Sequence, residues 1–338
     1  MKIHLVFMLL ADYIVNESIR NLKIMKIQEI ARLAGVSTAT VSRVFSHHPN
    51  IRREVREQVF AVARAHNYRP RLSVRQKNVV IVSPYEQIYP APEYVEMVTT
   101  PLIRELARNK FRIEILPADD LERLSGIPFC GVISIGIPAP DYWEERFAMP
   151  YIVLDQRVEK RSCDIFSVRS DEEQGMDLAI SHLVSCGCRK VGVLIHGSPG
   201  VGNAEIRSSG ALKALRRCGM PCEESLVRVA TADLFMEETG KLLRRDIDGI
   251  FCCGGSNVGG IAAYCLELFN KKIPTDIKLV SSERTHISRY CIPAQTTISQ
   301  DYKAIAEKTV ELLENLLSGT QKAQEIILPY HLIKRESA

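Results

Sequence analysis

Small hydroxyl side chains and one guanidinium are concentrated in a short stretch of the chain. Thr38, Ala39, Ser42 and Arg43 fall on the polar side of a helical repeat. An arginine can donate two hydrogen bonds to a guanine, and threonine or alanine can contact a thymine methyl group or a phosphate. These residue types at this spacing therefore suit the reading of DNA base edges.

A basic region of the chain surrounds these side chains. The whole chain holds 44 Lys and Arg against 40 Asp and Glu, a net charge of +4. Residues 25–78 alone hold eleven basic and three acidic side chains, so this segment carries +8 and the rest of the chain −4. A basic segment on an acidic body is typical of a protein that neutralises phosphates. A solvated basic surface would show the same charge, so the apolar pattern has to decide.

Apolar residues at helical spacing predict three short helices in this region. Their inward-facing residues are Ile27, Ile30, Ala31 and Ala34; Val41, Val44 and Phe45; and Val55, Val59, Val62 and Ala63. Gly35 supplies the backbone freedom that the first helix needs at its end, and Ser37 can cap the second helix at the amide of Thr40. Two helices joined in this way form a helix-turn-helix, whose second helix enters the major groove. The alternative is a three-helix domain that binds protein, with Arg43 merely solvated.

The stretch Met25–Val44, read as MKIQEIARLAGVSTATVSRV, resembles the opening of LacI/GalR-family transcriptional regulators, and residues 67–70 are similar to the end of their headpiece. The resemblance implies a headpiece at 25–70 and makes residues 1–24 an extension from an early start codon. The positions that it assigns to DNA contact are Gln28, Ser37, Thr38, Ala39, Thr40, Ser42 and Arg43. Because Ala39 has no polar group, base reading would fall mostly on Arg43, Thr38 and Gln28.

The linker at 71–78 departs from the family pattern. After Pro70 the family usually has a hinge helix, Pro-Asn-x-x-Ala-Arg-x-Leu, whose Leu wedges into the minor groove and bends the DNA. Here Lys77 stands where that Leu would be and Val74 where the Ala would be, and the linker is several residues short. We therefore predict a weak or absent wedge and less DNA bending.

From residue 79 to 338, short apolar runs alternate with helical stretches. The predicted strands are Val79–Ser83, Arg112–Leu116, Gly131–Ile135, Tyr151–Leu154, Val191–Ile195, Leu226–Ala230, Gly249–Cys253 and Lys278–Ser281. The predicted helical stretches cover residues 92–108, 171–186, 205–217, 257–270 and 301–318. This alternation predicts parallel sheets covered on both faces. About 260 residues are too many for one open sheet, so we expect two doubly wound α/β subdomains around a cleft.

Several segments of this body are similar to the effector domain of the same family, which looks like a periplasmic sugar-binding protein. They are residues 175–197, 207–215 and 293–298, and residues 328–333, which resemble the family's final strand. The family commonly binds its effector through the Arg at position 207, and a guanidinium in a cleft can bind hydroxyls or a carboxylate. The alternative is that Arg207 pairs with Glu205 or another nearby acid. Residues 254–257, Gly-Gly-Ser-Asn, depart from the family's usual Asn-Asp, which puts the family's mode of effector binding in doubt.

Four further positions are candidates for the effector cleft. Asp155 ends one predicted strand and Glu283 follows another, where carboxylates can accept hydrogen bonds from sugar hydroxyls. Tyr94 occupies a position that stacks on ligand in some relatives, and Tyr85 is near it in sequence. Each of these residues has a plain structural alternative. Glu283 also replaces a more usual Asp, so we expect the effector to differ from that of the best-known sugar repressors.

Enzymatic and metal-dependent functions find little support in the sequence. Gly197-x-x-Gly200-x-Gly202 follows a strand, but no Lys-Ser/Thr pair comes after it to hold phosphates and a metal. The eight His are scattered and the ten Cys show no finger spacing, so we expect no cofactor, no metal and reduced thiols. No run approaches the eighteen apolar residues of a membrane span.

These observations together predict a cytoplasmic, sequence-specific DNA-binding regulator, most simply a repressor. A homodimer would place two headpieces on a pseudo-palindromic operator. A small molecule, such as a carbohydrate, would bind between the subdomains and shift the population of two states. An effector-independent regulator and a periplasmic solute-binding protein are the alternatives. The basic headpiece and the lack of a signal peptide argue against the second.

Overall fold

The computed structural model covers most of the predicted headpiece and body. It describes residues 25–45, 50–66, 68, 77–84, 93–147, 149–158, 162, 164–200, 202–254, 257–283, 287–320 and 323–338. The predicted extension at 1–24, most of the linker at 71–78 and the candidate Tyr85 lie outside these residues. Within them, no helix is long and apolar enough to cross a bilayer.

The headpiece consists of three helices around a small apolar centre. They are α1 (Ile27–Leu33), α2 (Thr38–Phe45) and α3 (Arg53–Ala65). The predicted inner faces are confirmed for Ile30, Val41 and Val59, which are fully buried. Phe60 is also fully buried, and its ring meets that of Phe45 edge-on with centroids 5.5 Å apart. This aromatic pair holds α2 against α3.

The first half of the body is a parallel six-stranded sheet with the order β11-β5-β4-β3-β1-β2. Its strands are β1 (Asn78–Ser83), β2 (Arg112–Pro117), β3 (Gly131–Ile135), β4 (Tyr151–Leu154), β5 (Ile165–Ser170) and β11 (Glu325–Leu328). Alternate side chains of β1 point to opposite faces. Val79 and Ile81 join the core under α4 (Glu93–Arg108) and α10 (Tyr302–Ser318). Val80 and Val82 join the core that contains Trp143 of α5 (Trp143–Arg146).

The second half repeats this architecture with the order β12-β10-β9-β8-β6-β7. Its strands are β6 (Val191–His196), β7 (Val227–Ala230), β8 (Gly249–Cys253), β9 (Lys278–Ser282), β10 (Thr296–Ser299) and β12 (His331–Ile333). Helices α6 (Glu172–Ser185) and α7 (Gly202–Arg217) cover one face, and α8 (Phe235–Leu243) and α9 (Val258–Leu268) cover the other. All strand pairs are parallel except β10 with β12.

The chain passes between the two halves three times, after β5, after β10 and after β11. The third crossing corrects the predicted final strand at 328–333. That segment is two strands, because β11 ends at Leu328 in the first sheet and β12 begins at His331 in the second. Pro329 and Tyr330 connect them. The three crossings lie beside one another at the carboxyl ends of β5 and β10, where a cleft between the halves would open or close.

Candidate functional site

The start of α2 is defined by a side-chain cap. Gly35 has a φ of +59°, which lets the chain turn sharply after α1. The Ser37 hydroxyl accepts a hydrogen bond from the Thr40 amide at 3.0 Å, as the sequence predicts. The cap makes α2 begin at Thr38 and so sets which of its residues face outward.

The residues predicted to contact DNA lie on the outer face of α2, at Ser37 just before it and at Gln28 of α1. Six of the seven predicted positions have exposed side chains, and Thr40, which bonds to the cap, is half-buried. The exposed six are Gln28, Ser37, Thr38, Ala39, Ser42 and Arg43. The opposite face of α2, with Val41, Val44 and Phe45, is buried in the headpiece. The headpiece therefore holds α2 firmly and presents its polar face outward.

The headpiece contacts the body through Arg64 of α3. Its guanidinium donates to the backbone carbonyls of Glu144 and Glu145 in α5, the latter at 3.2 Å. The apolar residues of the headpiece also form one continuous cluster with those around Trp143. The headpiece therefore packs on the first half of the body.

Lys77, the residue at the family's wedge position, is held by the body. Its Nζ lies 3.3 Å from a carboxylate oxygen of Glu314, 3.4 Å from the Asn109 carbonyl oxygen and 4.6 Å from the centre of the Phe111 ring. A lysine engaged in this way would have to leave all three partners to approach DNA. This arrangement supports the predicted weak hinge wedge, although residues 69–76 lie outside the described part of the chain.

A small cavity lies between the two halves of the body. Its volume is about 10 Å³, and it is lined by Asp155, Arg157, Arg169, Ser170, Glu172, Asn203 and Ile206. The first five belong to the first half or the crossing after it, and the last two belong to α7. A volume of this size holds about one water molecule. The cavity that these residues line is therefore too small for a sugar.

Asp155 lies at this cavity, as predicted, with its backbone in the left-handed region at φ +53°. Its carboxylate accepts hydrogen bonds from the Ser170 amide at 3.1 Å and from the Gln300 side-chain amide at 2.5 Å. Its carbonyl oxygen lies 3.5 Å from the side-chain amide of Asn203. Asp155 thus joins two of the crossings and reaches toward the second half.

Arg207 follows the cavity-lining Ile206 on α7 and is bound by a carboxylate within the chain. Its Nε and Nη2 donate to the two oxygens of Glu172 at 3.1 and 3.0 Å. The Tyr330 hydroxyl donates to the same carboxylate at 3.1 Å. The two charged side chains are only 12% and 15% exposed. Burial alone would lower the pKa of Arg207, but the Glu172 carboxylate more than offsets this effect and raises that pKa above its ordinary value.

The acid that pairs with Arg207 is therefore Glu172, in place of Glu205, which was the sequence-based alternative. Glu172 directly follows the N-cap residue Asp171 of α6, and its neighbour Glu173 is also acidic. Nothing in the local sequence separates positions 172 and 173. Only the packing of α6 against α7 brings position 172 to Arg207, and for that reason sequence reasoning missed it.

Glu283 is fully buried at the carboxyl end of β9. One of its oxygens accepts a hydrogen bond from the Thr297 hydroxyl at 2.8 Å and lies 2.8 Å from Nη2 of Arg335 in an ion pair. Arg335 also donates to the Gln295 carbonyl oxygen at 2.6 Å. Glu283 thus ties β9 to β10 and to the C-terminal segment, and it does not line the small cavity.

Tyr94 also lies away from the cavity lining. It is half-buried against the core of the first half, with its ring centre 6.2 Å from that of Tyr302. A larger concavity of about 550 Å³ lies nearby on α4 and the start of α10, and its lining includes Met97, Arg104 and Lys303. The structure therefore brings Asp155 and Arg207 to the cleft and places Glu283 and Tyr94 in packed positions.

A basic helix-turn-helix headpiece followed by two parallel α/β halves around a cleft defines a class of DNA-binding regulators with a periplasmic-binding-protein-like body. Residues 26–71 match the model of the bacterial regulatory proteins of the lacI family, and residues 180–338 match the periplasmic binding protein-like domain. The chain thus carries a DNA-binding domain of the lacI family, followed by a periplasmic binding protein-like domain. It is a transcriptional regulator and not an enzyme.

Similar proteins match along nearly their full length. The HTH-type transcriptional regulator MalR of Clostridium butyricum is 27% identical over 93% of this chain and 99% of its own. The ribose operon repressor of Halalkalibacterium halodurans is 26% identical, with 92% and 96% covered. Among solved structures, the complex of the transcriptional regulator CelR with cellobiose superposes with a TM-score of 0.67, at 23% identity over 93% of this chain and 100% of that one.

Proposed function

We propose that this regulator is a cytoplasmic repressor that reads a pseudo-palindromic operator through the outer face of α2. The observation that supports this proposal is the exposed polar face of a helix whose other face is buried and whose start is capped. Arg43 is the residue suited to a bidentate contact with guanine, and Thr38 and Gln28 are suited to neighbouring bases or phosphates.

Selection of the bound sequence from a random DNA library tests this proposal. We expect one enriched sequence of two inverted half-sites about one helical turn apart. A steep fall of affinity with salt concentration is also expected, because several phosphates are neutralised by each headpiece. Binding without sequence preference, or to a single half-site only, would contradict the proposal.

A homodimer is supported by exposed apolar side chains on one side of the second half. Tyr264 is 65% exposed on α9, Tyr290 is 75% exposed and Ile292 is 98% exposed. Helix α9 lies beside the 287–290 turn, because Gly259 closely approaches the side chain of Gln295, whose backbone N–H donates to the Ser288 carbonyl oxygen in that turn. Adjacent exposed apolar residues of this kind mark interaction surfaces, and a two-fold arrangement would present two headpieces together.

Sedimentation of a Tyr290→Asp variant tests the dimer. We expect a monomer that is folded and binds the operator much more weakly than the parent, because one headpiece contacts only one half-site. Ile327→Asp is a matched control, because Ile327 is also exposed but lies on β11 in the first sheet. A parent protein that sediments as a monomer would contradict this part of the proposal.

The effector that we propose is a carbohydrate bound between the two halves beside Asp155 and Arg207. The names of the ribose operon repressor and of the CelR–cellobiose complex each contain a sugar, and both proteins match over almost this whole chain. Ligands of parallel α/β sheets bind outside the carboxyl ends of the strands, where these two side chains lie. Because the cavity is only about 10 Å³ in volume, a sugar has to bind a more open conformation and stabilise it.

The second candidate is a regulator that needs no effector. The closed cavity and the internal partners of Asp155, Arg207 and Glu283 favour it. Operator affinity measured with and without a panel of pentoses, hexoses and disaccharides separates the two. A change of at least tenfold with one sugar supports the effector-dependent regulator, and unchanged affinity with all of them supports the second candidate.

A further inference from the structure

The Arg207–Glu172 pair occupies the position that an acidic ligand would take. Two parallel N–H···O bonds from one guanidinium are the geometry in which arginine binds a ligand carboxylate or phosphate. Here Glu172 already makes both bonds, and the Tyr330 hydroxyl donates to the same Glu172 oxygen as Nη2 of Arg207. An anionic ligand would therefore compete with a carboxylate that belongs to the chain.

We propose that Glu172 determines the charge class of the cleft ligand: it neutralises Arg207, so that the cleft admits neutral, hydroxyl-bearing molecules and excludes carboxylates and phosphates. This inference rests on the proposed function, since it concerns the ligand of the same cleft. An anion that displaced Glu172 would leave a buried carboxylate without its cation, and an anion that stayed beside it would be repelled. A neutral hydroxyl meets neither cost.

The Nη1 nitrogen of Arg207 can still donate a hydrogen bond to a neutral oxygen. Among the residues that the structure describes, the hydrogen bonds of the Arg207 guanidinium come from Nε and Nη2 and not from Nη1. A Cβ added at Gly254 would lie 3.1 Å from Nη1, so this nitrogen faces the carboxyl end of β8. A sugar hydroxyl needs one donor of this kind and leaves the pair with Glu172 intact.

Arg169, a buried arginine that lines the cavity, is neutralised in the same way. Arg169 donates through Nε and Nη2 to the two oxygens of Glu325 at 3.3 and 3.2 Å, and its side chain is 12% exposed. Burial opposes the charged form of Glu325, but the hydrogen bonds from Arg169 lower its pKa overall. The buried guanidiniums of Arg207 and Arg169 are thus each paired with a carboxylate of the chain, so that in both the Nε and Nη2 donors are already engaged and cannot bind an anion.

Glu172→Gln tests the inference with inorganic phosphate as the probe, because phosphate binding does not require the natural effector to be known. Binding is measured by calorimetry at constant ionic strength on the full chain. We expect Glu172→Gln to bind phosphate at least tenfold more tightly than the parent, and we expect Arg207→Gln added to this variant to remove the gain. The matched control is Glu173→Gln, which removes the same charge one residue further along α6. Glu173 pairs with the exposed Lys213 at 2.9 Å, and this control should behave as the parent.

Two results would overturn the inference: a folded Glu172→Gln binds phosphate no more tightly than the parent, or Glu173→Gln gains as much affinity as Glu172→Gln does. Circular dichroism verifies that each variant is folded. The parent measurement stands by itself if Glu172→Gln does not fold, because phosphate binding by the parent at the cleft contradicts exclusion. Operator binding by the parent is measured on the same sample. A parent protein that does not bind the operator would count against the proposed regulator, whereas the phosphate results concern Glu172 alone.

Discussion

The polar side chains of the DNA-facing helix and those of the ligand cleft differ in their surroundings: the first are exposed, whereas the second are bound to other residues of the chain. Six of the seven residues predicted to contact DNA are exposed; four of these six lie on α2, whose opposite, apolar face is buried in the headpiece. In the cleft, Arg207 and Asp155 are engaged by partners from the same chain. DNA can therefore dock on a prepared surface, but a cleft ligand has to compete with bonds that already exist.

This difference suits a regulator. A rigid reading face loses little entropy on binding and discriminates by the fit of hydrogen bonds. A cleft whose charges are paired internally has a stable closed conformation, and a ligand changes the balance only by its differential affinity for the open one. The headpiece also packs on the first half through Arg64, and this contact would couple a movement of that half to the headpiece.

The largest expected effect is that of Arg207→Ala on the stability of the body. Removal of one partner of a buried ion pair leaves Glu172 with a charge that only hydrogen bonds stabilise, and the usual cost is about 3–5 kcal/mol. We expect a clear drop in the urea midpoint of the body. The control is Arg217→Ala, because Arg217 joins the same two helices through Asp177, but on the surface. Equal effects from the two variants would mean that the cleft pair does not differ from a surface pair.

Replacement of Arg43 should affect operator recognition without affecting stability. We expect Arg43→Ala to weaken binding to the selected operator by about 1–3 kcal/mol, the usual discrimination of a bidentate base contact. Arg43→Lys retains the charge but loses the planar fork, so it should bind random DNA as the parent does and still lose preference for the operator. Competition gel shifts with operator and random DNA measure both quantities. A parent-like preference in Arg43→Lys would show that Arg43 contacts only phosphates.

The sequence predicts the headpiece far better than the cleft, for a physical reason. The helix-turn-helix depends on local features, such as the Gly35 turn and the Ser37 cap, and a few neighbouring residues are enough to predict them. The eight predicted strands all occur in the structure within one or two residues of their predicted ends. The sequence does not predict strands β5, β10 and β11 or helices α5 and α8. In β5 and β11 polar residues interrupt the apolar run, and Arg169 and Glu325 belong to those two strands.

The cleft depends on contacts between distant parts of the chain. Glu172 and Arg207 are 35 residues apart, and Asp155 and Gln300 are 145 apart. Hydrophobic periodicity places each element but does not reveal which polar side chains meet across two elements. The sequence therefore indicates Asp155 and Arg207 as candidates, whereas their partners Gln300 and Glu172 become evident only from the packing.

A smaller effect is expected from the cap of the reading helix. Ser37→Ala removes the acceptor of the Thr40 amide and should destabilise the headpiece by about 1 kcal/mol. Ser42→Ala is the control, because Ser42 lies exposed within α2, where alanine favours the helix. Thermal melts of the two variants, followed by operator titrations, separate stability from contact. A larger loss of stability in Ser42→Ala than in Ser37→Ala would contradict the role of the cap.

The smallest effect concerns the pH dependence of the cleft through His196 at the end of β6. Burial lowers the pKa of this imidazole below its ordinary value of 6.5, and the charge of Arg207 lowers it further. The folded protein therefore holds His196 neutral where the unfolded chain takes up a proton. Its contribution to stability is complete above pH 6.5 and is lost as the pH falls below that value toward the folded pKa. We expect His196→Gln to make the melting temperature depend less on pH between pH 5 and 7, by no more than the 2–4 °C that about 1 kcal/mol gives in a domain of this size.

The control is the exposed His331, whose replacement by Gln should leave this pH profile unchanged. In Glu172→Gln the slope should steepen, because Arg207 then acts on His196 without its carboxylate, and an unchanged slope would indicate that the Arg207 charge does not reach His196.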